Sequence, residues 1–322
     1  MLLENKHVLV TGATGFVGRP LCEQLIQNSF GVRGSVRITE TPINLPVGVQ
    51  AAEISSIGSA TDWTTALTGI DIVIHLAARV HVMVDTSEDP LEAYRQVNVA
   101  GTENLARQAV ACNVKRLVFI STVKVHGEET DLPYTELDIL APEDPYGVSK
   151  QEAEDVLRQV AAETGLEVVV IRTPLVYGPG VKANFLRLIE TVQRGIPLPL
   201  ACLRNSRSLI GLRNLVDAII TCATHPQSAG NSYLVSDGED VSTPELVRRI
   251  STAFGRSSRL FPVPLPLMRL AGILTGKGTA VDRLAGSLTV DTTKIRRELG
   301  WQPPYTMEQE LFETAGWFRN RF

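Results

Sequence analysis

Short apolar runs alternate with stretches of helical spacing through the first half of this chain. His7–Thr11 is a continuous apolar run, the pattern of a strand buried on both faces. Phe16–Gln27 then repeats its apolar residues at helical intervals, Val32–Val36 reads as a second strand and Asp71–Leu76 as a third. Leu91–Cys112 has the length of a long helix. A strand at Arg116–Ser121, a helix at Tyr146–Thr164 and a strand at Glu167–Arg172 follow. This regular alternation predicts an α/β fold, a doubly wound Rossmann parallel sheet.

After Arg172 the rhythm breaks. Pro174, Pro179, Pro197 and Pro199 interrupt the pattern. Asn214–Cys222 looks helical, Ser232–Val235 looks like a strand returning to the sheet, and Pro244–Phe254 and Thr292–Leu299 read as further helices. The expected division is a Rossmann domain from 1–172 plus 212–240 and a smaller C-terminal substrate-binding lobe from 173–211 plus 241–322. Internal repeats and low-complexity tracts are absent from the sequence.

Composition changes little in this picture. With 322 residues, 44% hydrophobic and 20% charged, the chain has an ordinary globular make-up. A net charge of −4 gives no electrostatic case for nucleic acid or an anionic membrane as partner. Cys22, Cys112, Cys202 and Cys222 are scattered, the usage of reduced thiols in a cytoplasmic protein, and they make neither a disulfide frame nor a zinc site. The polar start lacks the pattern of a signal peptide, and no run of ~18 apolar residues could span a bilayer. Phe261–Leu274, apolar and carrying Pro262, Pro264 and Pro266, reads as a loop followed by a helix.

Two local patterns carry chemistry. Thr11-Gly12-Ala13-Thr14-Gly15-Phe16-Val17-Gly18 sets three glycines directly after a strand and at the head of a helix. Glycine there allows a tight turn and close approach of backbone to a pyrophosphate, with the helix N-terminus facing the anion. A dinucleotide is the expected ligand. An NAD site usually ends its second strand on an Asp or Glu that bonds the ribose, but Val32-Arg33-Gly34-Ser35-Val36-Arg37 holds no acid. Arg37 suits a 2′-phosphate, with Ser35 as a second donor, so NADP(H) is the favoured cofactor and NAD(H) the other. Glu53 and Ile54 are expected at the adenine edge.

The second pattern is Tyr146-Gly147-Val148-Ser149-Lys150, which puts a phenol and an ammonium four apart on one helix face. The ammonium is expected to lower the phenol's pKa and make it a proton donor and acceptor near neutral pH. Together with the dinucleotide site this points to redox chemistry at a carbinol or ketone.

The chain resembles the extended short-chain dehydrogenases/reductases of the NAD(P)-dependent nucleotide-sugar epimerase/dehydratase group. The likeness covers nearly the whole chain. It rests on the glycine loop, His75-Leu76-Ala77-Ala78, Asn98-Val99-Ala100-Gly101-Thr102, Ile120-Ser121-Thr122, Tyr146 with Lys150, and Val176-Tyr177-Gly178-Pro179-Gly180. The resemblance implies that Tyr146 exchanges a proton with the sugar. Lys150 would bond the nicotinamide ribose and Thr122 the reacting oxygen, while Asn98 supports Lys150 through water. It places Leu76, Ala77, Ala78, Ser121 and Pro174 along the cofactor. Asn184, Arg207 and Arg283 match positions that meet the nucleotide diphosphate, whereas Leu175 departs from the Asn common there. It also implies a homodimer through helices near 91–112 and 146–164. No metal is expected.

The reaction is narrowed by a few positions. A 4,6-dehydratase of the group carries an acid and a base after the catalytic Thr, but this chain has Val123-Lys124, and valine cannot move a proton. Arg37 without an acid favours a 4-ketoreductase. The segments Ser121–Glu128, Pro142–Tyr146 and Gly180–Phe185 resemble bacterial 4-reductases of UDP-4-keto-6-deoxy-N-acetylhexosamine. Lys124 and His126 are then expected near the sugar, His126 standing where Tyr is common and either touching the sugar or filling the same space. The alternative is a UDP-glucose or UDP-N-acetylglucosamine 4-epimerase with tightly held NAD. A non-catalytic NADP-binding protein usually loses the Tyr or the Lys, and this chain keeps both.

Overall fold

In the computed structural model, which describes residues 6–39, 44–80, 89–276 and 278–321, the alternation closes into one parallel sheet. Its strands are β1 (His7–Thr11), β2 (Gly31–Arg37), β3 (Gln50–Ile54), β4 (Ile72–His75), β5 (Arg116–Thr122) and β6 (Glu167–Thr173). After β7 (Leu175–Tyr177) and β8 (Arg207–Gly211), β9 (Ser232–Leu234) returns to the sheet. The order is β3-β2-β1-β4-β5-β6-β9 with all neighbours parallel. The direction of winding reverses between β1 and β4, which opens a crevice at the C-terminal ends of the strands.

Helices α1 (Gly18–Gln27), α2 (Thr64–Leu67), α3 (Pro90–Arg95), α4 (Gly101–Ala111) and α5 (Pro145–Thr164) link the strands. They are followed by α6 (Ala183–Gln193), α7 (Leu212–Thr224), α8 (Thr243–Ala253), α9 (Leu265–Leu274), α10 (Gly278–Ala285), α11 (Thr293–Leu299) and α12 (Met307–Arg319). Side chains alternate across each strand, so both faces can be read directly. Val8, Val10, Val118, Val169 and Ile171 point to one core with Leu21 and Leu25 of α1 and Leu215 and Ile219 of α7. Leu9, Leu117, Phe119, Val168 and Val170 point to the other, with Leu105 of α4 and Leu157 of α5. Burial on both faces explains why the strands are continuous apolar runs.

A second, three-stranded sheet pairs β8 in parallel with β7 and antiparallel with β10 (Asp240–Val241). Beneath it a third core joins Tyr177, Phe185, Ile189, Val247, Ile250, Leu311 and Phe318, drawn from β7, α6, α8 and α12. The helix expected over 91–112 differs in one respect: α3 and α4 are joined by a π-helical turn at Gln96–Ala100. Such a turn commonly marks a functional position, and Asn98 lies in it.

Candidate active site

The glycine loop forms the floor of the crevice. Gly12 takes a φ of +72°, and a Cβ there would stand 3.1 Å from the Ala77 backbone nitrogen. A Cβ on Gly18 would fall 2.0 Å from the Gly12 carbonyl oxygen. Only glycine lets α1 begin this close to β1, and that leaves the helix N-terminus open to a pyrophosphate. Thr14, Gly15, Phe16 and Val17 form the rim; the Phe16 ring reaches across to the lobe core and to Gly180. These residues fit a dinucleotide.

The far end of that site is less uniform. Arg37 is exposed at the end of β2, in register with Ile54 of β3. Glu53 is exposed, whereas the Ile54 side chain packs into the core with Trp63 and Leu67, so its part at an adenine edge is limited to backbone. Leu76, Ala77 and Ala78 leave the end of β4, and Pro174 is buried after β6. The Ala77 N–H donates to Thr11 Oγ1 at 3.2 Å, and Thr11 Oγ1 lies 2.6 Å from His75 Nδ1. His75 Nε2 meets Thr102 Oγ1 at 2.9 Å. Burial and the nearby Lys150 push this imidazole down to about 3, so it is neutral and fixes the loop that lines the crevice.

Helix α5 supplies the reactive pair. Asp144 caps its first turn by accepting from the Gly147 N–H at 2.6 Å, and Pro145 opens it. Tyr146, Lys150 and Glu154 then recur at four-residue intervals along one face. The Lys150 ammonium is buried 3.7 Å from the centroid of the Phe119 ring. Burial pulls its pKa down to about 7, with Glu154 opposing the shift.

The expected depression of the Tyr146 phenol is not what this site produces. Burial, reinforced by Asp144 and Tyr94, drives the phenol well above its ordinary value. The reason is desolvation, which disfavours the phenolate, and the neighbouring Asp144 carboxylate adds to it. The Tyr94 ring lies 6.1 Å from that of Tyr146, and the Arg79 guanidinium stacks on Tyr94 at 5.5 Å. Neither Tyr94 nor Arg79 was singled out from sequence. Tyr94 stands four residues before Asn98, the spacing that could have flagged it.

Asn98 itself is buried and bridges two elements. Its side-chain oxygen accepts from the Arg79 N–H at 2.8 Å, and its amide donates to the Arg79 carbonyl at 3.1 Å and to Ser149 Oγ at 3.0 Å. These direct bonds tie the loop after β4 to α5.

Thr122 closes β5, and its hydroxyl accepts from the Lys124 N–H at 3.3 Å. Ser121, on the opposite side of the strand, donates its hydroxyl to Glu154 Oε1 at 2.6 Å. Glu154 is fully buried and pairs with Arg172 through Nε at 3.1 Å and Nη2 at 2.7 Å. Arg172 Nη1 donates to His126 Nε2 at 3.1 Å. A guanidinium only donates, so His126 carries its proton on Nδ1, a buried atom with no hydrogen-bond partner among the described residues. His126 is stacked on Tyr134 at 5.0 Å and belongs to this buried network. Lys124 pairs with Glu128 at 2.5 Å and with Asp144 at 2.6 Å, an arrangement that braces the start of α5.

On the lobe side, Asn184 is exposed in the first turn of α6, and Leu175 is 46% exposed. Arg207 Nη1 donates to the carbonyls of Arg283 and Gly286. Arg283 in turn reaches Glu128 at 3.8 Å. The two arginines expected at a diphosphate thus share one corner of the lobe, and through Glu128 and Lys124 that corner connects to Asp144, beside Tyr146. No group of three or more potential metal ligands occurs among the described residues.

Residues 8–236 match the model of the NAD-dependent epimerase/dehydratase family. The chain belongs to that family. It is 46% identical over 314 residues to a UDP-glucose 4-epimerase of Vibrio cholerae, covering 96% of this chain and 94% of the relative. Among solved structures it is similar to MoeE5 in complex with UDP-glucuronic acid and NAD, with 26% identity and a TM-score of 0.78 over 98% of this chain and 100% of the other. It also superposes on a UDP-N-acetylglucosamine 4-epimerase of Methanobrevibacter ruminantium M1 in complex with UDP-N-acetylmuramic acid, with a TM-score of 0.80 at 22% identity, over 99% of this chain and 100% of that one. Family membership and the observed sheet agree on a Rossmann-fold protein of the NAD-dependent epimerase/dehydratase family.

Proposed function

We propose that the protein is a UDP-hexose 4-epimerase acting on UDP-glucose or UDP-N-acetylglucosamine, with NAD held through the catalytic cycle. The observation that carries this reading is the 46% identity to a UDP-glucose 4-epimerase across nearly the full length of both chains. Val123, buried behind Thr122, leaves no acid–base pair for a dehydratase.

In this reading Tyr146 takes the proton of the C4 hydroxyl as the hydride leaves C4, and Thr122 bonds the same oxygen. The resulting ketone would turn to present its other face before reduction, and Tyr146 would return the proton to the same oxygen. An oxidised dinucleotide held by the glycine loop and Lys150 would supply the hydride acceptor and a positive charge that favours the phenolate. Asn184, Arg207 and Arg283 would hold the diphosphate, with arginine forks matching its oxygens.

The second reading, an NADP(H)-dependent 4-ketoreductase, is favoured by Arg37 at the end of a β2 that holds no acid. One experiment separates them. The purified protein should carry NAD and convert UDP-glucose to its C4 epimer without net change in nicotinamide absorbance. Stoichiometric consumption of NADPH with a UDP-4-keto-6-deoxy-N-acetylhexosamine, and no epimer formed, would overturn the proposal. Tyr146→Phe should lower turnover by about 10²–10⁴-fold while the protein still retains NAD.

A further inference from the structure

The Lys150 ammonium is buried, and a buried charge is costly unless a neighbouring group attracts it. The elements packed around it offer few candidates. Glu154, one turn along the same face of α5, has each oxygen already accepting two hydrogen bonds: Oε1 from Ser121 and Arg172, Oε2 from Arg172 and Arg158. His75 of β4 has both ring nitrogens engaged, Nδ1 with Thr11 and Nε2 with Thr102, and burial keeps it neutral. Tyr146, one turn back on α5, keeps its proton and brings no charge. What meets the ammonium is the ring of Phe119 in β5, its centroid 3.7 Å from Lys150 Nζ.

Phe119 is itself fully inside the protein. It stands in register with His75 across the β4–β5 pair, and the two rings stack at 5.7 Å. It belongs to the same core as Leu105, Leu117 and Leu157. As a member of an apolar strand it reads as ordinary core, and a leucine would serve that purpose. A phenyl ring differs in one respect: its face carries partial negative charge and attracts a cation, most strongly where water is excluded. Such a face holds the charge without claiming it in a directed ion pair, so the N–H groups stay available to a ligand.

We infer that Phe119 is a positioning residue of this site, its ring face seating the Lys150 ammonium at the crevice and leaving its N–H donors for the dinucleotide ribose. The inference rests on the reading of Lys150 as a site residue and goes beyond it by assigning the group that holds it there.

The test changes the charge distribution of the ring and keeps its shape. Phe119 is exchanged in the full chain for 4-fluoro-, 3,5-difluoro- and 3,4,5-trifluorophenylalanine, which draw electron density from the ring face step by step. The Lys150 pKa is read in the dinucleotide-free protein by NMR of lysines labelled at Cε, its signal identified by its loss in Lys150→Met. It should start at about 7 in the parent. Along the series it should fall progressively, by about one unit in all. The signal of Lys124, held by Glu128 and Asp144, should not move. Turnover of UDP-glucose at neutral pH should fall several-fold in the same order, with KM for the UDP-sugar unchanged. In strongly alkaline buffer, where Lys150 is neutral in every form, the melting midpoints should coincide, which separates the charge effect from packing. A Lys150 pKa that stays fixed along the series overturns the inference, whether or not the protein epimerises UDP-glucose. So does a pKa that falls while turnover is unaffected, since the ring would then act on an ammonium that the reaction does not use. A graded pKa in a protein that epimerises neither UDP-sugar upholds the seating of Lys150 and overturns only the reaction proposed above.

Discussion

Three successive turns of α5 treat buried charge in two opposite ways. Around Glu154 every oxygen is used: Ser121 and Arg172 share Oε1, while Arg172 and Arg158 share Oε2. One turn earlier, on the same face, the Lys150 ammonium faces an aromatic ring and its pKa sits near 7. Tyr146, one turn earlier again, has a phenol whose ionisation is suppressed. The third turn is a satisfied structural pair, and the first two hold ionisable groups at a standing disadvantage. A fold tolerates such a disadvantage where a ligand will relieve it, and perturbed protonation in a crevice is a mark of function.

The contrast is broken most strongly at its structural end. Glu154→Ala strands the Arg172 guanidinium, which is 4% exposed, and removes the acceptor of Ser121. Removing one partner of a buried pair should destabilise the protein by about 3–5 kcal/mol in urea unfolding. Glu154→Leu combined with Arg172→Met, which removes both charges, should recover most of that loss. A double variant as unstable as the single one would mean that the network's shape, rather than charge pairing, holds this region.

At the functional end the same experiment should change sign. Lys150→Met removes a buried ammonium and keeps its volume, so the cofactor-free variant should be more stable than the parent by about 2–4 kcal/mol at pH 6 while losing turnover. The pH dependence follows from the depressed pKa. Between about pH 7 and the ordinary lysine value of 10.5 the unfolded chain binds the proton and the folded one does not, so parent stability rises with pH across that window. Below pH 7 both forms are protonated and the penalty is constant. The gap between variant and parent should therefore close as pH approaches 10. A gap that stays constant would mean that Lys150 is solvated in the folded protein.

The sequence made some of this legible and not the rest. The sheet could be read because doubly buried strands leave apolar runs, and the glycine loop because a backbone φ of +72° and a 2.0 Å approach admit no other residue. Tyr146 and Lys150 could be read because helix geometry fixes i and i+4 neighbours. Strand β3 escaped, since Gln50–Ile54 buries only Ala52 and Ile54 and has little apolar signature. β7 and β10 are too short to carry a period. The π-turn at Asn98 has no local signal, as its bonds run to Arg79 and Ser149. The sign of the Tyr146 shift was lost for a related reason. Spacing gives the distance to a neighbouring charge but not the depth of burial, and here burial dominates. Glu154 sits at the next i+4 step and was readable as part of the same face, but its partner Arg172 comes from β6.

The smallest expected effect concerns a group outside these turns. Arg37 is exposed at the end of β2, so Arg37→Ala should leave unfolding within about 0.5 kcal/mol of the parent. Its influence should appear only in cofactor choice. If it faces a 2′-phosphate, the substitution should weaken NADP(H) by about 1.5–3 kcal/mol, the worth of a hydrogen bond to a charged group. NAD(H), with a neutral hydroxyl at that position, should change little. Calorimetric titration of the dinucleotide-free protein with both cofactors reads the difference. A selective loss of NADP(H) in a protein that nevertheless purifies with NAD would show that β2 permits the phosphate without requiring it. Equal changes for both cofactors would remove Arg37 from the site, and with it the observation that favours the ketoreductase.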